Sequence, residues 1–296
     1  MGSSHLAPLL VIVGETASGK TALSLEIAKK WHGEVICADS RTIYRGMNIG
    51  TAKPSILEQQ EVAHHLIDIV DPDEPFSAAM FKEKAQLSIR EVHSRGKLPI
   101  VVGGSGMYIN ALIYDYSFRE SPDPMKRKEL EALSVEQLQD ALERKGIPLP
   151  SNAKNPRHLI RNLEAGQAIM QQTKLPDGVF MIGLRQNLEV LSMRIRHRAE
   201  KMIEEGLLGE AEELYRTFGY DLPSMQAPAY RSFRGFIEHT KTYEQSFEDF
   251  ITADLRLAKK QRTWFKRDQN IIWCSGPGEA TNRVEEWLAT FSKQDK

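Results

Sequence analysis

Short apolar runs alternate with amphipathic segments along the first half of the chain. The runs have the length and composition of buried strands, and they lie at Leu9 to Val13, Glu34 to Ala38, Leu66 to Val70 and Pro99 to Val102. Segments 21–31 and 77–95 carry apolar residues at helical spacing, which predicts helices with C-caps at Gly33 and Gly96. Strands that alternate with helices are typical of a parallel sheet flanked by helices, so the pattern predicts an α/β fold.

The strand signal disappears after residue 116 and returns in the apolar run Val179 to Leu184. The segment between them is charged and helical in pattern, and Ser134 with Gln137 forms a predicted capping box. We therefore predict an α/β core in two pieces with a helical insertion between them. The core comprises residues 1–116 and 177–296, and the insertion comprises residues 117–176.

Composition narrows the class of protein that this pattern can form. The 296 residues are 41% hydrophobic and 27% charged, which is ordinary for a globular chain. No apolar run approaches the roughly 20 residues that span a bilayer, and no targeting segment is recognisable, so a cytoplasmic protein without a membrane partner is expected. The net charge of -1 leaves nucleic-acid binding to local basic patches. The two cysteines form no C-x-x-C pair, which leaves neither a zinc site nor a redox motif.

The first predicted strand runs directly into a phosphate-binding motif, G-x-x-x-x-G-K-[ST], and a helix follows it. The motif consists of Gly14, Glu15, Thr16, Ala17, Ser18, Gly19, Lys20 and Thr21. Its backbone N–H groups and the helix N-terminus are suited to phosphate oxygens, with Lys20 on a terminal phosphate and the Thr21 hydroxyl on Mg²⁺. The motif leaves open which bond breaks, because kinases and NTPases use it to cleave P–O bonds and a diphosphate leaving carbon would fit equally well.

Two further strand ends are expected beside this loop, since the carboxyl ends of parallel strands meet at one edge. Asp39 follows the second run, where it is a candidate general base or a magnesium ligand through water, or more simply a cap for the next segment. The fourth run ends in the glycine-rich turn 103–106, which allows a second backbone segment to approach a ligand. The sequence thus predicts one crevice with phosphate groups on one side and a carboxylate on the other.

Several segments together resemble tRNA dimethylallyltransferases over nearly the whole chain. The segments are GETASGKT (14–21), DSRTIYRGMNIGTAKP (39–54), HHLIDIVDP (64–72), FSAAMF (76–81), VVGGSGMY (101–108), NPRHLIRNLE (155–164), Arg194 to Arg198 with EEGLLGEAEEL, and AKKQRTWFKRD (258–268). These enzymes move a dimethylallyl group from dimethylallyl diphosphate to N6 of the adenine at tRNA position 37, beside the anticodon. The resemblance implies a P-loop core, Mg²⁺ as cofactor and a monomer that acts on the anticodon stem-loop of tRNA.

The resemblance also implies roles for individual residues. Lys20 and Thr21 would hold the diphosphate and magnesium, and Asp39 would accept the proton of the adenine N6. Ser105 would face the adenine, and Arg198 would support the diphosphate. The implied tRNA contacts are Asp39, Ser40, Arg41, Thr42, Ser105, Arg157, His158, Leu159, Ile160, Arg161, Gln226, Tyr230, Arg231, Lys260, Arg262, Lys266 and Arg267.

The chain departs from the family pattern at several of these positions. Glu15 stands where the family usually has proline, Thr42 where it has glutamine, and Ser105 where it has threonine, while Pro228 and Ala229 replace a typical Ala/Leu-Gly pair. Three other functions remain open from the residues alone. They are a prenyltransferase acting on free adenine nucleotides, a P-loop small-molecule kinase using ATP, and an RNA-binding regulator that uses nucleotide as a switch.

Overall fold

The computed structural model describes residues 7–116, 124–150, 152–165 and 174–292. The chain divides into two compact units, one made of residues 1–113 with 174–296 and the other of residues 114–173. Residue 117, at which the sequence predicts the insertion to begin, lies outside the described residues.

The first unit is built on a parallel sheet. In the described part of the chain its strands are β1 (Leu9–Gly14), β2 (Gly33–Cys37), β3 (His64–His65), β4 (Leu98–Gly103), β5 (Val179–Leu184) and β6 (Ile272–Cys274). Their order is β3-β2-β4-β1-β5-β6, and every neighbouring pair is parallel. All six residues of β1 and of β4 are buried, as expected for central strands covered on both faces. The predicted α/β fold is confirmed.

The helices follow the pattern of apolar positions closely. They are α1 (Lys20–Lys30), α2 (Ile56–Glu61), α3 (Ala78–Ser94), α4 (Gly106–Ile113), α5 (Pro124–Glu131), α6 (Val135–Arg144), α7 (Pro156–Ala165), α8 (Leu188–Glu204), α9 (Leu207–Phe218), α10 (Pro228–Ile237), α11 (Tyr243–Phe265) and α12 (Pro277–Ser292). The predicted capping box of Ser134 and Gln137 is present at the start of α6. Pro228 opens α10, a position where its missing N–H costs nothing.

The prediction of a strand at Leu66 to Val70 is wrong. Leu66 and Asp68 have φ values of 63° and 54°, which are incompatible with an extended strand. The strand lies immediately before them at His64–His65, and a single bridge from Val70 to Tyr44 is what remains of the expected pairing. The two histidines, which lie just before the predicted strand, form the observed one.

Gly33 is not the helix C-cap that its position suggests. His32, with φ of 52°, takes the left-handed conformation after α1, and Gly33 begins β2. A Cβ on Gly33 would lie 2.9 Å from the backbone oxygen of Leu98, so glycine is required by the close approach of β4. Gly96, with φ of 68°, does end α3 as predicted.

Each unit has its own hydrophobic core. In the first unit one cluster lies between the sheet, α1 and α12, and a second joins α8, α9, α10 and α11 to the segment after β2. The second unit packs Leu138 and Leu142 of α6 against Leu159, Ile160 and Leu163 of α7. Among the described helices, none is long and apolar enough to cross a membrane.

Candidate active site

The loop between β1 and α1 has the backbone conformation of a phosphate nest. Ala17 and Gly19 have φ values of 59° and 100°, which turn successive peptide groups toward one side. Within the described residues, no hydrogen bond uses the backbone N–H of Ala17, Gly19 or Lys20. These N–H groups at the start of α1 are therefore available to an anionic ligand.

The ammonium group of Lys20 lies at this loop, within the electrostatic influence of Asp39 and Arg198. Lys20 donates from Nζ to the backbone oxygen of Glu15 at 2.5 Å, and burial lowers its pKa to about 8. The negative charge of Asp39 raises that pKa and the positive charge of Arg198 lowers it, so both groups lie close enough to act on Lys20. Lys20 of the phosphate loop and Asp39 of the neighbouring strand end, which the sequence places on opposite sides of one crevice, therefore influence each other electrostatically.

Asp39 and Ser105 lie at the ends of the neighbouring strands β2 and β4. Asp39 is partly exposed, and its Oδ1 accepts the backbone N–H of Arg41 at 2.8 Å. The Ser105 Oγ accepts the backbone N–H of Ser40 at 3.0 Å, which joins the two strand ends. The next helix along the chain, α2, begins at Ile56, so Asp39 orders its own turn and is not a helix cap.

Arg198 is held by a buried carboxylate that the sequence did not single out. Its guanidinium lies 2.5 Å from Oδ2 of Asp254, whose residue is 3% exposed. Burial raises the pKa of Asp254 even though Arg198 opposes the rise. The only sequence signal for this partner is an acidic residue on the otherwise apolar, buried face of α11.

Glu15 is also buried and paired, and its partner is Arg262. Nε and an Nη of Arg262 lie 2.7 Å from the two carboxylate oxygens of Glu15. The same guanidinium donates to the backbone oxygen of Gln186 at 2.8 Å. The guanidinium of Arg262 is therefore turned toward the phosphate loop, and its predicted contact with tRNA stays a prediction.

Three further predicted tRNA contacts are inaccessible. Leu159 and Ile160 are 0% and 4% exposed in the core of the second unit. Tyr230 is 0% exposed, and its hydroxyl donates to Oε1 of Glu210 at 2.8 Å. These residues maintain packing because hydrophobic spacing on α7 and α10 turns them inward. The three side chains therefore belong to the hydrophobic cores of their units and not to a surface that contacts tRNA.

Most of the other predicted contacts reach the surface. The exposed ones are Arg157, His158, Arg161, Gln226, Arg231, Lys260, Lys266 and Arg267. Ser40 and Arg41 are partly exposed, and an Nη of Arg41 donates to the backbone oxygen of Pro223 at 2.5 Å. Thr42 is buried, and its hydroxyl has no partner within the described residues.

An open cavity of about 500 Å³ lies along the outer face of α11. It is lined by Arg256, Lys259, Lys260, Thr263, Trp264 and Arg267. No ion pair between described residues involves the four cationic side chains. Trp264 packs so closely on Gly106 that a Cβ there would lie 2.2 Å from the indole ring. The cavity, here called the basic pocket, therefore adjoins the turn that carries Ser105.

The residues of the site suit magnesium only if a diphosphate shares it. Among the described residues, no group of three or more His, Cys, Asp or Glu side chains is arranged to hold a metal ion. Thr21 is exposed on the first turn of α1, and its hydroxyl would supply one oxygen ligand. Mg²⁺ commonly completes its octahedron with water and substrate phosphates, which this donor set requires.

A parallel sheet whose first strand enters a phosphate nest, with an acidic strand end beside it, defines an α/β protein of P-loop type. A family model described as IPP transferase matches residues 42–268, and the chain belongs to this family. The resemblance stated from the sequence is thus confirmed.

The similar proteins carry consistent names. The chain is 41% identical to a tRNA dimethylallyltransferase of Staphylococcus carnosus over 285 residues, covering 90% of each chain. It is similar to the crystal structure of a full-length tRNA isopentenylpyrophosphate transferase from Bacillus halodurans, with a TM-score of 0.75, 38% identity and coverage of 97% and 99%. A eukaryotic dimethylallyltransferase acting on tRNA shares the fold, with a TM-score of 0.82, 23% identity and coverage of 96% and 80%.

Proposed function

We propose that this enzyme transfers the dimethylallyl group of dimethylallyl diphosphate to N6 of adenine 37 in the anticodon loop of tRNA. The observation that carries the proposal is the phosphate nest with Lys20 at its edge and the Asp39 carboxylate at a neighbouring strand end, while Arg198 and Asp39 both act electrostatically on Lys20. Two cations and a set of backbone N–H groups suit a departing diphosphate, and a carboxylate opposite them suits an incoming amine. Membership of the IPP transferase family supports the same reaction.

The reaction needs assistance at both reacting groups. The adenine N6 is a weak nucleophile because its lone pair is delocalised into the ring, so Asp39 accepts its proton as the N6–C bond forms. The bond between the allylic carbon and the diphosphate oxygen breaks at the same time, and the nest, Lys20 and Arg198 stabilise the negative charge that leaves with it. Magnesium bound by the diphosphate and Thr21 would neutralise part of this charge.

The basic pocket supports RNA as the acceptor. Four cationic residues line this pocket together with Trp264, so phosphate-binding side chains and an aromatic ring suited to a base lie on one surface. The target adenine has to leave its stack to reach Asp39, and the pocket adjoins the Ser105 turn where such a base would enter. We propose that one copy of the chain suffices, since all of these groups lie on one unit; light scattering with bound RNA tests this.

The test is the incubation of the protein with dimethylallyl diphosphate, Mg²⁺ and an anticodon stem-loop, followed by mass spectrometry of the nucleosides. We expect a mass gain of one dimethylallyl group at a single adenine, abolished by Asp39→Asn. Prenylation of AMP with inert RNA would favour the free-nucleotide enzyme. Transfer of labelled γ-phosphate from ATP without prenylation would favour the kinase.

A further inference from the structure

Glu15 places a negative charge inside a loop that is shaped for anions. The residue is 1% exposed, and a buried carboxylate at this point would repel a bound diphosphate unless a cation compensated it. Arg262 supplies that cation through two hydrogen bonds of 2.7 Å. The pair is neutral as a whole, so the charge of Lys20 remains available to the ligand.

Gln261, the neighbour of Arg262 on α11, uses its side chain to hold the backbone of the same loop. Its Oε1 accepts the N–H of Thr16 at 2.8 Å, and its Nε2 donates to the backbone oxygen of Gly104 at 3.2 Å. Arg262 extends the connection to Gln186 after β5. Two adjacent side chains of one helix therefore join the phosphate loop to the ends of β4 and β5.

We infer that Glu15, Gln261 and Arg262 are positioning residues for the diphosphate donor. They fix the loop in its phosphate-binding conformation. Arg262 acts on the side of the site that binds the donor, whereas its neighbours on α11 line the basic pocket. The inference rests on the proposed function, because it assumes that the loop binds a diphosphate. The inference gives Arg262 and Lys260 different roles, although the two residues are only two positions apart in a basic stretch.

The test compares pyrophosphate binding by calorimetry, with Mg²⁺ present, in the full chain and in variants. Arg262→Met leaves the Glu15 carboxylate uncompensated, so we expect its affinity to fall by well over tenfold. Adding Glu15→Gln removes the repulsion and should restore part of the loss, leaving a deficit of about tenfold from the lost positioning. The double variant contains no unpaired buried charge, because both members of the pair are neutral. It therefore keeps the fold even if Arg262→Met alone does not.

The control is Arg196→Met, which breaks an exposed arginine–glutamate pair, Arg196 with Glu248, and should leave pyrophosphate binding unchanged. Wild-type affinity in the double variant would overturn the inference. So would a loss of stem-loop affinity in the double variant equal to that of Lys260→Ala, because Arg262 would then be an RNA contact. If the unaltered chain bound no pyrophosphate, the proposed function itself would fall, and this inference with it.

Discussion

At Lys20, burial and the negative charge of Asp39 act in opposite directions on the pKa of one ammonium group. Burial lowers its pKa to about 8, and Asp39 opposes that shift while Arg198 reinforces it. A bound diphosphate would bring negative charge to this ammonium and favour its protonated form. The ligand-free and diphosphate-bound loops would therefore hold different numbers of protons near pH 8.

We expect the affinity for pyrophosphate to fall as the pH rises through about 8, because a neutral Lys20 has to take up a proton before it can pair with phosphate. Calorimetry in two buffers of different ionisation enthalpy measures this uptake. Lys20→Arg stays charged and controls for the titration of pyrophosphate itself. Equal proton uptake by the two proteins would contradict a lowered pKa at Lys20.

Asp254 fixes the orientation of the Arg198 side chain through an ion pair. Its carboxylate is buried on α11 and holds the guanidinium, while Nε of Arg198 is buried without a partner in the described part of the chain. Asp254→Asn keeps the volume but removes the charge, so we expect kcat to fall by about tenfold through misplacement of Arg198, with RNA affinity unchanged.

The matched control is Asp249→Asn on the same helix, where the carboxylate pairs with Lys241 in solvent. That substitution should change neither kcat nor KM, since exposed pairs contribute little. If Asp254→Asn lowered stability and left kcat at its original value, Asp254 would be a structural residue only.

At the scale of elements, α11 separates two functions onto two faces. Gln261 and Arg262 contact the donor loop and Asp254 contacts Arg198. Lys259 and Lys260 border the basic pocket instead. Positions 254, 261 and 262 are seven and eight residues apart, which places them on one face of a helix. Basic residues that are close together in the sequence of α11 therefore lie on two different faces of the helix.

We expect Lys260→Ala to weaken stem-loop binding and to make the slope of log affinity against log salt shallower by about 1, since one phosphate contact is lost. Fluorescence anisotropy at several salt concentrations measures the slope. Lys30→Ala, which removes an exposed lysine paired with Glu285, is the control. An unchanged slope in Lys260→Ala would remove this residue from the RNA surface.

The apolar pattern predicts elements well and long-range pairs poorly. The runs that became β1, β2, β4 and β5 are visible because strands buried on both faces are continuously apolar. The run at 66–70 looks the same, but positive φ at Leu66 and Asp68 is a tertiary outcome that hydrophobicity does not encode. The phosphate loop is recognisable because its motif is local.

The partners of the site residues lie beyond the reach of local patterns. Glu15 and Arg262 are 247 positions apart, and Arg198 and Asp254 are 56 apart. A buried acid on α11 indicates that some cation must meet it, but not which one. Leu159, Ile160 and Tyr230 are buried despite the tRNA contact that the resemblance implies for them, because a residue's place in a motif does not encode whether its side chain faces solvent.

For the whole molecule, one buried carboxylate near the amino end of β2 links stability to pH. Glu34 begins the buried part of β2, 3% exposed, and contacts His65, Arg95 and Lys97. Burial alone would raise its pKa, but hydrogen bonds from Arg95, His65 and Lys97 outweigh burial and lower the pKa to about 2. Since the unfolded value is 4.5, this contribution is complete above about pH 4.5 and is lost as the pH falls from 4.5 toward 2.

Glu34→Gln should therefore lower the free energy of unfolding at pH 7 by about 2 kcal/mol, because Arg95, Lys97 and His65 lose the negative charge that they contact. The difference from the unaltered protein should shrink steadily below pH 4.5, as protonation makes the native carboxyl resemble the amide. Urea unfolding from pH 7 to pH 3 measures both, with Glu285→Gln in an exposed pair as the control. A difference that stayed constant across this range would mean that Glu34 acts through packing, and its charge would have no part in holding β2 to β3 and β4.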